Sequence, residues 1–280
     1  MRPDMKKVLA VILSLVFPFI IAACSHAPVP DYDYSWTEQY RFIAHACGEI
    51  DGYYMTNSID ALESNYDKGC RLFEVDLINS TEGTLICWHG WDDTRVEDLM
   101  PEEYFGRVLS DEEFNQMLIA GRYHTMTFED LAQFMADHND VYIVTDTKSG
   151  NEDVVRYRFG QIISIANQTD PSILERIIPQ IYNEDMLPII NEMYQWKSII
   201  YTLYMIPDGT LYSDIVDFAV DNGIRVITCP ERLFYEDFVT DLASHNIYVF
   251  MHTYNDMDEV NQWSERGVYG FYTDTLMCEE

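Results

Sequence analysis

Nine short runs rich in β-branched and aromatic residues follow one another from residue 41 onward, and most are separated by stretches of helical periodicity. Helix-start signals occur in these stretches, such as Ser58 before Ile59 and the capping-box spacing of Thr127 and Asp130. Strands that alternate with helices predict a parallel sheet covered by helices. The nine runs cover residues 41–45, 71–77, 84–89, 141–146, 177–181, 198–203, 224–228, 247–252 and 268–272.

The link between the second and third runs, residues 78–83, is too short for a parallel crossover, which needs about a dozen residues. These two runs must therefore form an antiparallel hairpin. Eight parallel strands and one returning strand remain, which predicts a (β/α)8 TIM barrel with a hairpin return after strand 2. Such barrels typically contain about 250 residues, and this chain has 280. An open doubly wound sheet is the alternative fold, but the sequence lacks its glycine-rich phosphate turn.

The charge of the chain limits its partners. It carries 48 Asp and Glu against 17 Lys and Arg, a formal net charge of -31. A surface this acidic repels nucleic-acid phosphates, so we expect no nucleic-acid partner. Phosphate can be bound only where a metal or a few basic groups reverse the local field.

The first residues have the features of a secretory signal. A charged start, an apolar run over residues 8–21 and small residues before Cys24 make residues 1–23 a predicted signal peptide, and the run is shorter than the roughly 20 residues of a transmembrane helix. The segment ending at Cys24 resembles the lipobox of bacterial lipoproteins, although an ordinary signal peptide or an uncleaved anchor is also consistent with it. We expect an exported protein held by a lipid on Cys24 at the outer face or the periplasmic side of the membrane. Residues 24–40 would then be a tether and residues 41–280 the barrel domain.

Carboxylates stand at two predicted strand ends, where the catalytic residues of parallel barrels lie. Glu74 and Asp76 alternate with apolar residues, so the period of two places both on one face of the strand. Two such charges need a proton or a cation between them. Asp146 and Lys148 repeat this spacing at another strand end. If a cation lies there, ligands that are all oxygen favour a hard ion, Mg²⁺ or Ca²⁺, over zinc.

Two histidines also end predicted strands, His45 after the first run and His89 after the hairpin return. If the hairpin turns around Thr81 and Glu82, His89 lies opposite Glu74 and Cys87 opposite Asp76. Both imidazoles are therefore predicted to lie near the carboxylates. Imidazoles with a pKa near 6.5 suit an acid and a base at neutral pH.

A tetrahedral zinc site formed by His45, Cys47, Cys87 and His89 is an alternative, because these side chains alternate along two strand ends. A zinc ion bound in this way would leave Glu74, Asp76 and Asp146 with no role as ligands. Export also disfavours free thiolates as ligands. We therefore prefer the oxygen-ligated cation.

The same residues stand in an ordered set of segments, Ile43–Gly48, Asn57–Ser58, Glu74–Asp76, His89 and Asp146–Lys148. This set resembles the glycerophosphodiester phosphodiesterase family, which is related by its barrel to phosphatidylinositol-specific phospholipase C. The similarity covers roughly residues 41–276. The resemblance implies a barrel that hydrolyses glycerophosphodiesters or related phospholipids with a divalent cation. It assigns the following roles: Glu74, Asp76 and Asp146 hold the metal, His45 and His89 are the acid and base, and Lys148 contacts phosphate.

Two further residues are candidates for binding the small-molecule or lipid substrate. Asn57 is either a substrate contact or a helix cap. Trp91 stands near the predicted mouth and would touch a glycerol or lipid moiety, or else pack in a loop.

The chain also departs from the family pattern. The usual His-Arg-Gly is His45-Ala46-Cys47, so the phosphate-binding arginine of the family is missing, and Asp146 replaces a longer glutamate. A degenerate barrel that binds a phosphorylated headgroup or a cell-surface ligand without cleaving it is therefore the alternative function. We favour the enzyme, because binding alone needs neither an acid nor a base.

Overall fold

A computed structural model describes residues 30–207 and 209–276 of the chain. The strands are β1 Phe42–Ala44, β2 Leu72–Asn79, β3 Leu85–Cys87, β4 Leu118–Ile119, β5 Tyr123–His124, β6 Met126–Thr127, β7 Tyr142–Asp146, β8 Ile177–Ile181, β9 Ile200–Thr202, β10 Val226–Thr228, β11 Tyr248–Met251 and β12 Gly270–Thr273. The α-helices are α1 Trp36–Gln39, α2 Ile59–Asp67, α3 Asp111–Gln116, α4 Phe128–Asp137, α5 Glu152–Thr169, α6 Met186–Met193, α7 Tyr212–Asp221, α8 Glu236–Ser244 and α9 Met257–Glu265. Short 3₁₀ turns cover His45–Cys47, Glu97–Leu99, Glu102–Tyr104, Pro171–Glu175 and Glu231–Leu233. The predicted signal peptide and Cys24 lie outside the described residues.

Eight of the strands form a closed parallel barrel in the order β1, β2, β7, β8, β9, β10, β11 and β12. The circle closes where β1 pairs with both β12 and β2. The predicted (β/α)8 barrel is therefore confirmed, and each of the nine predicted runs contains a strand. The helix starts also follow the sequence signals. Ser58 caps α2, and Thr127 and Asp130 form a reciprocal capping box on α4.

The interior of the barrel is filled near the amino-terminal ends of its strands. Side chains such as Ile43, Val144 and Phe250 form this inner cluster together with Tyr34 and Trp36. A larger apolar cluster lies between the strands and the surrounding helices. Apolar residues thus occupy both faces of the strands, as expected for a parallel sheet covered by helices. The polar residues at the carboxyl-terminal ends of the strands line the opposite mouth of the barrel.

The described part of the predicted tether packs against the barrel. Trp36 is 2% exposed, and its Nε1 donates to Ser198 Oγ at 2.9 Å. Tyr34 donates through its hydroxyl to the Ile199 carbonyl at 2.8 Å. The folded unit therefore extends ahead of residue 41, because buried aromatic rings before β1 close the amino-terminal end of the barrel. Within residues 30–207 and 209–276, we find no helix with the length and hydrophobicity of a transmembrane segment.

The hairpin after β2 forms as predicted, but its register differs by one residue. Cys87 pairs with Leu77 and not with Asp76, so His89 is not directly opposite Glu74. The connecting loop has an odd number of residues and includes Gly83 with a φ of 88°. The predicted turn centred on Thr81 and Glu82 is wrong, because a left-handed glycine shifts the pairing by one position. The following segment, residues 91–126, also contains α3 and the short strands β4 and β5, which the sequence did not predict.

Candidate active site

Three carboxylates meet at the carboxyl-terminal mouth of the barrel. Glu74 and Asp76 point inward from β2, and Asp146 ends β7, where it pairs in register with Asp76. All three are buried. One oxygen of each carboxylate lies within 4.8 Å of an oxygen of the other two. The alternation along β2 and the pairing of neighbouring parallel strands thus bring together the residues that the sequence singled out as metal ligands.

This cluster fits a divalent cation. Burial and the negative charge of Asp76 raise the pKa of Glu74 to about 8. The buried Asp76 Oδ1 has no hydrogen bond, although Lys148 Nζ contacts it as an ion pair. Carboxylate oxygens that repel one another in a dry site are stabilised when a cation lies between them, and oxygen is the ligand that Mg²⁺ and Ca²⁺ prefer.

Lys148 supplies positive charge beside the three carboxylates. Its Nζ lies 2.7 Å from Asp146 Oδ2 and also contacts Asp76 Oδ1. Although burial opposes it, the ammonium group holds the pKa of Asp76 below its usual range. Lys148 lines the cavity, as a phosphate contact would, but it is already shared between two carboxylates.

Two tyrosines that the sequence did not single out hold Asp146. The hydroxyl groups of Tyr182 and Tyr204 both donate to Asp146 Oδ1, the latter at 3.0 Å. Burial raises the pKa of each phenol, so both remain protonated donors. Tyr182 directly follows β8, so its place at a strand end was a signal in the sequence. These donors fix the orientation of the short Asp146 side chain.

His45 is oriented by a carboxylate on the last strand. Its Nδ1 lies 2.9 Å from Asp274 Oδ1, and Asn255 donates to the other oxygen of Asp274 at 2.8 Å. Burial by itself would lower the pKa of His45. The hydrogen bond that His45 donates to Asp274 and the charges of Glu74 and Asp274 outweigh this effect and raise the pKa to about 9. These interactions favour the protonated form of His45.

His89 has the opposite electrostatic character. It lies at the wall of the same cavity, and its Nδ1 is 3.1 Å from Asp93 Oδ2. Burial lowers the pKa of His89 below its usual value and outweighs the opposing charge of Asp76, while Lys148 and Arg95 lower it further. The two imidazoles at this site thus favour different protonation states.

Asn57 and Trp91, the two further candidates for substrate binding, do not line the cavity. Asn57 is fully buried, donates to Asp76 Oδ2 at 2.7 Å and accepts from the Asp76 amide at 3.0 Å. It therefore holds a carboxylate in place, while its neighbour Ser58 caps the helix. Trp91 is packed between Trp88 and Phe114, with ring centroids 6.2 Å apart in each pair, and it does not line the cavity.

The zinc alternative has no support among the described residues. There, the carboxylates of Glu74, Asp76 and Asp146 form the one group of three or more potential ligands that converge. Cys47 and Cys87 are buried, and burial raises the pKa of each thiol, which disfavours the thiolate. They do not join the two histidines in such a group.

The site opens into a cavity of about 730 Å³. Its walls include the apolar or aromatic side chains of Tyr54, Met55, Tyr204, Met205 and Tyr272. A third imidazole, His252, lines it as well, and burial together with the charge of His45 lowers the pKa of His252 to about 4. The cavity therefore combines a polar floor with a partly apolar wall, as binding sites for small molecules usually do.

Solved structures of similar fold come from several bacteria. A phosphodiesterase from Oleispira antarctica, in complex with the product sn-glycerol-3-phosphate, aligns with a TM-score of 0.66 and 15% identity, covering 84% of this chain and 92% of that one. A glycerophosphodiester phosphodiesterase from Parabacteroides distasonis gives 0.64 and 16%, covering 84% and 92%. One from Thermotoga maritima gives 0.62 and 19%, covering 84% and 94%. At these identities the likeness shows the fold.

Comparison of the sequence with models of protein families identifies the family, which the similarity of fold alone does not. No curated protein sequence matches the chain significantly. Residues 50–277, most of the chain and all the site residues after the first strand, match the model of one protein family. This chain belongs to the glycerophosphoryl diester phosphodiesterase family, a family of phosphoric diester hydrolases.

Proposed function

We propose that this protein hydrolyses glycerophosphodiesters or related phospholipids by a two-histidine mechanism, with Mg²⁺ or Ca²⁺ held by Glu74, Asp76 and Asp146. The observation that carries the proposal is the pair of imidazoles beside the carboxylate cluster. His45 has a raised pKa and His89 a lowered one. An acid and a base are then present together at neutral pH, as general acid–base catalysis requires.

The residues act as follows in this proposal. When bound, the cation would polarise a phosphoryl oxygen. His89, whose Nδ1 faces Asp93, accepts through Nε2 the proton of the attacking water or of a neighbouring substrate hydroxyl. His45, whose Nδ1 faces Asp274, donates its Nε2 proton to the leaving alkoxide. Asn57, Tyr182 and Tyr204 keep the carboxylates in place.

A substrate panel tests the proposal. Glycerophosphocholine, glycerophosphoinositol and lysophospholipids are incubated with the purified protein and added Mg²⁺ or Ca²⁺. We expect release of a phosphomonoester, such as the sn-glycerol-3-phosphate bound by the Oleispira protein. Chelation of the metal with EDTA should abolish this release. Absence of metal-dependent turnover on every substrate would contradict the proposal. Thermal stabilisation by a diester without product would instead indicate a barrel that binds without cleaving.

We also propose that the protein is exported and anchored to the bacterial cell membrane through a lipid on Cys24. The charged start, the apolar run and the lipobox-like segment support this. Cys70 is disulfide-bonded, and disulfides persist mainly outside the cytosol. The anchor would hold the barrel near phospholipid substrates.

Replacement of the anchor residue tests this location. In a Cys24→Ala variant, we expect the protein to move from the membrane fraction to the soluble fraction and to lose incorporation of labelled fatty acid. Cys229→Ala serves as the matched control, because Cys229 is a free, buried cysteine far along the chain. A wild-type protein that takes up no labelled fatty acid would contradict the anchor.

A further inference from the structure

We propose that Arg95 binds the non-bridging phosphate oxygens of the substrate beside His89. This inference rests on the proposed function and adds a substrate-binding residue to it. Neither the sequence pattern nor the predicted ligand set pointed to Arg95, which lies in the loop after β3. It belongs to the residues that line the active-site cavity.

The position of the guanidinium group is the first argument. Arg95 Nη2 lies 3.4 Å from His89 Nε2, the nitrogen that the proposed mechanism uses. Asp93 lies beside both groups: its carboxylate accepts from Arg95 Nη2 at 2.6 Å, and its Oδ2 lies 3.1 Å from His89 Nδ1. The Arg95 amide also donates to Asp93 at 2.9 Å. One short loop thus presents an imidazole and a guanidinium side by side.

The charge of the cavity is the second argument. Five of its lining residues are acidic: Glu74, Asp92, Asp93, Asp146 and Asp274. A phosphodiester anion entering this cavity needs cationic partners in addition to a metal. Lys148 is already shared between Asp76 and Asp146. Among the described residues that line the cavity, Arg95 carries the one guanidinium group.

The hydrogen-bonding capacity of Arg95 is the third argument. A guanidinium has five N–H donors, and Asp93 is engaged by Nε and Nη2. The other N–H of Nη2 faces His89 Nε2. The two N–H donors of Nη1 remain available, and the side chain is 65% exposed. A planar pair of donors matches two phosphate oxygens better than a single ammonium does.

The competing explanation is an ordinary surface ion pair, and the chain supplies a matched control for it. Arg107 makes a two-pronged pair with Glu113, with contacts of 2.9 and 2.8 Å, and its side chain is 42% exposed. Arg107 does not line the cavity. Loss of an exposed pair of this kind has little effect on stability.

The experiment compares Arg95→Met, Arg95→Lys and Arg107→Met in the full chain loaded with metal. The diester that the wild type hydrolyses gives kcat and KM, and inorganic phosphate serves as a competitive ligand. We expect Arg95→Met to raise KM and the inhibition constant of phosphate by about 10- to 100-fold, the effect of losing charge-assisted hydrogen bonds. Arg95→Lys should recover part of the loss. Arg107→Met should have the same KM and the same inhibition constant for phosphate as the wild type.

If the wild type and Arg95→Met are both active and phosphate inhibits them with the same inhibition constant, the role of Arg95 is overturned. The proposed function is then unaffected. A loss of kcat together with a lower melting temperature and unchanged phosphate inhibition would also overturn it, because that is the signature of a structural role. If the wild type cleaves no diester, the proposed function fails. Phosphate-induced thermal stabilisation that Arg95→Met loses would still support the anion site.

Discussion

A Glu74→Gln variant is expected to lose metal-dependent hydrolysis by about 100-fold or more and yet to fold at least as stably as the wild type. Changes to residues that merely support a metal ligand already cost about 10- to 100-fold in affinity or activity, so removal of a charged ligand costs at least the upper part of that range. The amide could still accept the hydrogen bond that Ala46 N donates to Glu74 Oε2 at 2.8 Å. The loss of metal binding and hydrolysis is checked by measuring turnover and the thermal stabilisation that Mg²⁺ or Ca²⁺ produces.

The stability of the same variant should depend less on pH. Burial and the charge of Asp76 raise the pKa of Glu74 to about 8 in the folded protein, against about 4.3 in an unfolded chain. A carboxyl group with a raised pKa stabilises the fold below its unfolded pKa, and this contribution is lost as pH rises through about 8. In EDTA, the melting temperature of the wild type should therefore fall across that window more than that of Glu74→Gln.

Glu63→Gln is the matched control, because Glu63 is an exposed residue of α2. It should leave turnover, metal-induced stabilisation and the pH dependence of melting unchanged. If Glu74→Gln keeps metal-dependent turnover and metal-induced stabilisation, the cation is not bound by the carboxylate cluster.

The sequence predicted those parts of the site that regular strands position. Alternation along β2 places Glu74 and Asp76 on one face, and the parallel pairing with β7 brings Asp146 beside Asp76. No long-range information beyond strand order was needed. The same rule extends to Tyr182 and Asp274, which follow β8 and β12 directly, so both were accessible to sequence reasoning and were overlooked.

The residues in loops were not predictable in this way. Trp91 packs on Trp88 and Phe114 because the long hairpin extension builds its own small core. The approach of Arg95 to His89 depends on how Asp93 turns that loop. Local periodicity contains no signal for such contacts, since they depend on the conformation of an irregular segment. The one-residue error in the hairpin register has the same origin, a glycine with positive φ.

Replacement of His45 by Ala is expected to reduce kcat by about 100- to 10,000-fold, the usual contribution of general acid–base catalysis. Asp274→Asn should give a smaller loss with a distinct pH signature. An acid must be protonated to act, so kcat of the wild type should fall as pH rises through the pKa of His45, which is about 9 before a cation binds and lower once the cation is bound. Without the charge of Asp274 that pKa is lower, and the decline should begin about one pH unit or more earlier.

The control for this profile is another histidine–carboxylate pair of the same chain. His124 Nδ1 lies 3.2 Å from Asp60, and its side chain is 70% exposed, outside the cavity. Asp60→Asn should leave the profile unchanged. All profiles are recorded at one saturating metal concentration, because the bound cation lowers the pKa of His45 in every variant. If Asp274→Asn keeps the wild-type alkaline limb while His45→Ala is inactive, then His45 is required but Asp274 does not set its protonation, and the proton donor to the leaving alkoxide must be sought among the other groups of the cavity.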